Sequence, residues 1–294
     1  MADSITLIDW LLSQSQKIDF KVTEYKWVIE YAPAYSDFAV SLFQGMFVGR
    51  AADKNANLAL TKAIAEGIER ATCAYNDLPS SAGLAAHPVV ECAIVNAKAE
   101  LVERISFDIH FSKRMPFQKV KPLTAESKFA TTKLMLLGIH LSFYEMLSPE
   151  KLKAICAVAT GANFSVGFGG ILGIGCHEDI IQSEKSALFE SLRNVVSFIE
   201  DSTFENIGIG DFLKMSEPRS MDRYRLSLNQ KYYNELKFLF SNAATFTQKF
   251  PELEFETRTL ALPSEFSTAP LNVVHVKSNY VFKKDDQILP SPVG

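Results

Sequence analysis

Two glutamate pairs limit what this chain can become. Ala63-Ile-Ala-Glu66-Gly-Ile-Glu69-Arg70 and Ala97-Lys-Ala-Glu100-Leu-Val-Glu103-Arg104 repeat one pattern at a spacing of 34 residues. A small-residue stretch, Ser80-Ser81-Ala82-Gly83-Leu84-Ala85-Ala86-His87, lies between them. Residues three apart on a helix share a face, so each pair projects its two carboxylates together. The flanking positions are small and apolar (Ala59, Ala63, Ile68; Ala93, Ala97, Leu101), which marks these faces as packed. Carboxylates on a packed face are costly unless a cation or an arginine meets them. Arg70 and Arg104 offer a purely structural answer. A divalent cation such as Mg²⁺, which prefers hard oxygen ligands, offers another. A third helix adds Glu190 and Arg193.

A 34-residue period is also that of a tetratricopeptide array. That reading fails here, because the pattern occurs only twice and strand-like segments follow it.

Along the chain, residues 4–18 have helical spacing and 21–31 alternate as a strand does. A second apolar run, 38–48, ends at Gly49-Arg50-Ala51-Ala52-Asp53, read as a break. Asn57 is positioned to cap a helix over 58–75. After the turn 77–87, a second long helix is predicted over 89–113 and stops near Pro116. A helix over 126–138, buried strands at 139–146 and 154–160, and a glycine-broken strand with its turn at 165–175 precede a third long helix over 179–202. Short helices at 221–228 and 231–246 and late strands at 253–261 and 273–276 complete the reading. Strands mixed with segregated long helices argue for an α+β fold or a mixed α/β sheet, and α+β with a mixed sheet is the expectation. No low-complexity linker divides the chain, so 1–294 is expected to be one domain, with a variable part at 1–45 and a proline-containing tail at 285–294.

Charge and cysteine usage exclude several functions. The net charge of −4, with no long basic run, argues against nucleic-acid and membrane-surface binding. Cys73, Cys92, Cys156 and Cys176 include no close-spaced pair, so neither a zinc site nor a disulfide framework is expected. A reducing, cytoplasmic setting fits. The N-terminus lacks the basic-then-apolar order of a secretion signal. The longest apolar stretch, 134–139, is too short to span a bilayer.

Several elements occurring in one order resemble the YcaO family. They are Gly49-Arg50-Ala51, the Glu66-x-x-Glu69-Arg70 helix, Ser81-Ala-Gly83-Leu-Ala-Ala-His87, Glu100-x-x-Glu103-Arg104, and Gly173-Ile-Gly175-Cys-His177 followed by Ser186-Ala-Leu-Phe-Glu190. The resemblance implies an ATP-binding fold unrelated to the P-loop, and no GxxxxGKS motif occurs. It implies a Mg²⁺ shell of Glu66, Glu69, Glu100, Glu103 and Glu190. Arg50, Lys62, Arg104 and Arg193 would join those carboxylates around ATP. It further implies activation of a peptide backbone amide by O-phosphorylation, giving an azoline heterocycle in a ribosomally made peptide. Thioamide or amidine formation is the alternative within the same chemistry.

The sequence departs from the family pattern at several positions. Lys62 stands where serine is common, Gly49-Arg50-Ala51 replaces a glycine-lysine-glycine loop, and Ala82, Ile105, Ser186 and Arg193 replace Asn, Asp, Arg and Gln. The carboxylates remain while polar companions change, which also allows a catalytically silent scaffold subunit. Azoline-forming members end in a proline-rich tail that places the terminal carboxylate in the site, and Pro290-Ser-Pro292-Val-Gly294 resembles a shortened version. His87 matches the family's turn, whereas His177 reads as fold-supporting. A precursor peptide, a separate leader-peptide-binding partner and a homo- or hetero-oligomer are implied.

Overall fold

The computed structural model describes residues 6–161, 169–200, 205–216, 220–241, 246 and 248–282. In chain order these form α1 (Leu7–Ser13), β1 (Phe20–Glu24), α2 (Val28–Tyr31), β2 (Ser36–Leu42), β3 (Phe47–Asp53), α3 (Ala56–Tyr75), β4 (Leu84–His87) and α4 (Val90–Ser112). There follow β5 (Gln118–Val120), α5 (Ala125–Leu136), β6 (Ile139–Met146), β7 (Lys153–Gly161), β8 (Gly170–His177) and α6 (Ile180–Glu200). Last come α7 (Ile209–Phe212), α8 (Ser220–Ser227), α9 (Gln230–Leu236), β9 (Phe255–Thr259) and β10 (Asn272–Ser278). This is the mixed helix-and-sheet architecture expected. Among the described residues, no helix is long and apolar enough to cross a membrane.

The contacts gather into two compact units, and the boundary falls inside α4, between Leu101 and Val102. The first unit takes in residues 1–101 and 254–279. It holds the antiparallel sheet β1-β2-β3 and a second sheet, β4-β10-β9. Its core joins Leu7, Trp10 and Leu11 of α1 to Val40 and Leu42 of β2, Ile64 and Ile68 of α3, and Phe266. The Trp10 indole donates to Thr268 Oγ1 at 3.1 Å, which ties α1 to the distant 264–268 segment. The second unit holds the antiparallel sheet β5-β6-β7-β8. Its core is aromatic, with Phe107, Phe117, Tyr144, Phe212 and Tyr232 around Cys156 and Ile174.

Each unit is built on one plan. A helix, three antiparallel strands and a long helix run α1-β1-β2-β3-α3 in the first, with the short α2 between β1 and β2, and α5-β6-β7-β8-α6 in the second. In both, the long helix lies with its backbone directly on a glycine of the third strand. A Cβ at Gly49 would collide with the Ala63 carbonyl and the Gly67 amide, and one at Gly173 with the Ala187 carbonyl and the Ser191 amide. These three pairs of positions correspond at one constant offset along the chain.

Several boundaries differ from the sequence reading. Residues 47–53 form β3 rather than a break, because Gly49 serves the close approach of α3 and not a turn. The reversal lies earlier, where Phe43, Gln44 and Gly45 all have positive φ (51°, 57° and 88°). The strand predicted over 21–31 stops at Glu24, and Val28–Tyr31 is helical. Asn55, not Asn57, caps α3, accepting the Leu58 amide at 3.1 Å. The stretch read wholly as a turn ends in β4, which pairs with β10. Gly83 makes that possible: its φ is +76°, and a Cβ there would strike the Val276 carbonyl.

Candidate functional site

In the first unit, α3 places Glu66 and Glu69 one turn apart, and α4 supplies Glu100. Glu66 is held at both oxygens: the Arg50 amide donates to Oε2 at 2.8 Å, and Arg70 donates to Oε1 at 2.6 Å. Glu69 accepts the Ala86 amide of β4 at 3.2 Å. Burial pushes the Glu69 carboxyl well above the usual range, and the nearby Glu100 and Glu66 carboxylates push it further. Arg70 and the Ala86 amide oppose that rise without cancelling it. The small-residue stretch of the sequence thus reaches Glu69 through a backbone N–H.

In the second unit, Glu103 on α4 is buried, and its carboxyl is raised to about 7. Burial is the main cause, Arg104 works against it, and Glu190 adds to it. An Arg104 nitrogen stands 3.8 Å from Glu103 Oε1. Glu190 on α6 accepts the Ile174 amide at 2.6 Å. Arg193 lies one turn further along α6 and is half-buried. The Cys156 and Cys176 thiols are pushed up by burial and by these carboxylates, so both are poor nucleophiles.

The predicted residues therefore divide into two groups. Glu66, Glu69, Glu100 and Arg70 come together in the first unit, and Glu103, Arg104 and Glu190 in the second. Others are engaged elsewhere. The Arg50 guanidinium is bound to the fully buried Asp37 (3.0 and 2.7 Å) and stacks 3.8 Å from the Tyr25 ring centroid, so only its amide serves Glu66. Lys62 pairs with Asp53 at 2.8 Å rather than with Glu66. His87 Nδ1 accepts the Val89 amide at 2.9 Å, just ahead of α4. His177 Nδ1 does the same for Asp179 at 3.1 Å ahead of α6, the fold-supporting use expected of it. Pro290, Pro292 and Gly294 lie outside the described residues.

Asp37, the Ala86 amide and the Ile174 amide escaped the sequence reading. One signal for the last of these was present. Gly49 with Ala63 and Glu66 recurs, at identical spacing, as Gly173 with Ala187 and Glu190. The shorter 34-residue repeat masked it.

Carboxylates crowded so that Glu69 and Glu103 are pushed up suit a hard divalent cation, which would relieve the repulsion. Among the described residues, no group of three or more His, Cys, Asp or Glu side chains is arranged to hold a metal ion. Mg²⁺ commonly takes one or two carboxylates and fills the rest of its octahedron with water and phosphate oxygens. The carboxylates here fit that use.

A fold of this kind, with helix glutamates set against strand amides, has known relatives. The chain belongs to the YcaO family: the model for "YcaO cyclodehydratase, ATP- and Mg²⁺-binding" matches residues 76–276. No curated protein matches the sequence. Among solved structures, it is similar to the YcaO from Methanopyrus kandleri bound with AMPPCP and Mg²⁺, at 12% identity and a TM-score of 0.64, covering 92% of this chain and 89% of that one. It is similar also to a heterocyclase in complex with substrate and cofactor, at 12% identity and a TM-score of 0.63, covering 89% of this chain but 49% of that one. A third likeness is to a chain of the E. coli microcin synthetase McbBCD complex with pro-MccB17 bound, at 10% identity and a TM-score of 0.58, covering 88% of this chain and 86% of that one. At such identities these structures speak for the fold.

Proposed function

We propose that this protein is an ATP- and Mg²⁺-dependent enzyme that activates a peptide backbone amide, with azoline formation in a ribosomally made peptide as the outcome. The observation that carries the reading is the crowding of carboxylates: Glu100 and Glu66 help to push Glu69 up, and Glu190 adds to the rise at Glu103. Keeping such groups together without a cation costs stability that a structural role would not require. Glu69, Glu100, Glu103 and Glu190 are the proposed metal-facing carboxylates. Glu66 acts through Arg50 and Arg70, and Arg104 and Arg193 are the guanidinium groups offered to phosphate oxygens. Mg²⁺–ATP, when bound, supplies the phosphoryl group that turns an amide oxygen into a leaving group. A Cys, Ser or Thr side chain of the peptide then adds to the amide carbon and phosphate departs, for a net loss of water. The described residues contribute binding, orientation and charge neutralisation. Pro290, Pro292 and Gly294 are proposed to take part in catalysis, as the family resemblance implies. Residues 1–294 act as one catalytic domain, in company with a leader-peptide-binding partner, in the cytoplasm.

One observation favours a second reading, a silent scaffold subunit of a peptide-modifying complex: both Glu66 oxygens are already occupied by protein donors. Calorimetry with Mg²⁺ and ATP, and ADP release with a cognate precursor and partner, separate the two. Glu69→Gln and Glu100→Gln are each expected to cut ADP release at least about a hundredfold, the scale of lost metal-assisted charge stabilisation. Unchanged release in either variant, or no nucleotide binding by the wild type, overturns the enzymatic reading. The product's mass distinguishes azoline, by loss of water, from thioamide, by exchange of oxygen for sulfur.

A further inference from the structure

Helix α5 is firmly built and yet faces solvent with apolar side chains. Its start is fixed by the buried Glu184 of α6, whose oxygens accept the Leu123 and Thr124 amides at 2.8 and 2.9 Å. Thr124 caps it by accepting the Ser127 amide at 3.0 Å. Its end is closed by Gly138, at φ +75°, whose amide donates to the Met135 carbonyl at 3.0 Å. Ser127, Ala130 and Leu134 face inward. The outer side carries Phe129, Met135 and Leu136, with Leu137 following, and all four are exposed; Leu136 is 75% exposed. Surface helices normally turn polar residues outward, and clustered exposed apolar residues mark contact surfaces. The equivalent helix of the first unit, α1, buries Leu7, Trp10 and Leu11 and has one such exposed residue, Leu12.

The charge around this face selects its occupant. Lys121, Lys128 and Lys133 are all exposed here, and the Lys133 ammonium sits 5.5 Å from the Phe129 ring centroid. The chain as a whole is acidic, at −4, so this basic fringe is a local feature. Two copies meeting symmetrically through it would set the same lysines against one another. We propose that the outer face of α5 docks a helix of a partner protein whose apolar stripe is flanked by acidic residues. Leucine-like side chains would cover Phe129 and Leu136, and carboxylates would meet Lys128 and Lys133.

The test uses the full chain and a labelled synthetic helix of about 20 residues, with leucine at its apolar heptad positions and glutamate around them, against the same peptide with lysine for glutamate. Fluorescence anisotropy is expected to show the glutamate peptide binding at least about tenfold tighter than the lysine peptide, by an amount that shrinks with added salt. Leu136→Asp, and independently Phe129→Asp, are expected to weaken it by about tenfold or more, and Lys128→Glu with Lys133→Glu to invert the preference. Equal affinity for both peptides, or no effect of either aspartate, overturns the proposal. So does sedimentation showing a dimer that Leu136→Asp dissociates, which would assign the face to a second copy. Calorimetry of Mg²⁺–ATP binding on the same variants tests the enzymatic reading separately, because none of these side chains belongs to the carboxylate groups.

Discussion

Glu190 takes the Ile174 amide at 2.6 Å, sixteen residues back along the chain. Glu66 and Arg50 stand in the same relation, at the same separation and at 2.8 Å. In both units a helix glutamate is fixed by a strand N–H beside a glycine on which the helix backbone rests. The strand amide spends itself on the carboxylate, and the glycine allows the approach that brings them together. The close contact and the aimed carboxylate are one device, used twice.

Gly49→Ala and Gly173→Ala should each force the helix off its strand. The added methyl meets backbone atoms of Ala63 and Gly67, or of Ala187 and Ser191, none of which can swing aside. A loss of about 2 kcal/mol or more in urea unfolding is expected for each, the upper range for overpacking. Gly210→Ala is the control, since its Cβ would meet nothing within 4 Å. A cost at Gly173 no larger than at Gly210 would contradict the packing described.

Glu103 gives the metal-free protein an unusual slope with pH. Its folded carboxyl titrates at about 7, against an ordinary value of 4.5, so the native state holds the extra proton between them. Its contribution is fullest below about pH 4.5 and is lost as pH rises through about 7, an effect on the order of 3 kcal/mol. In Glu103→Gln that loss should vanish, which denaturant midpoints across this range will register.

His110 acts in the opposite direction. It is fully buried, its Nε2 accepts the Leu147 amide at 2.8 Å, and burial lowers its pKa from 6.5 to about 4. Protons enter the unfolded state first, so stability should fall as pH drops from about 6.5 to about 4, again by roughly 3 kcal/mol. His110→Gln is expected to remove that fall. The two windows overlap with opposite signs, so these two contributions largely offset each other in the wild type. Each single variant should uncover the other's slope.

Lys62→Met should be nearly silent. The lysine's ion pair with Asp53 is exposed, and such pairs contribute on the order of 0.5 kcal/mol or less. Calorimetry should give the same nucleotide affinity with and without this lysine. A tenfold loss would return Lys62 to the phosphate site that the sequence pattern suggested.

The long helices were legible because their signals are local. Glutamate spacing, small apolar flanks and a nearby asparagine place α3 and α4 to within a few residues. β3 was not legible, because Gly49-Arg50-Ala51-Ala52-Asp53 has the look of a turn until α3 is seen to need the missing Cβ. Arg50 was misjudged for a related reason. Its partner, Asp37, is on the neighbouring strand, and only the β2–β3 register, which sets Asp37 opposite Ala52, brings it near. The glutamates themselves were found by spacing. Their division into two groups depends on which unit each turn of α4 joins, and a helical period carries no record of that.

The two amides that Glu184 holds lie just before α5 begins, a place where backbone hydrogens ordinarily exchange with solvent within moments. Here Leu123 and Thr124 can release theirs only when the carboxylate of α6 lets go. Their exchange rates should therefore report the opening of the α5–α6 pair as one cooperative piece. A single buried acid would make these two helices one unit of unfolding.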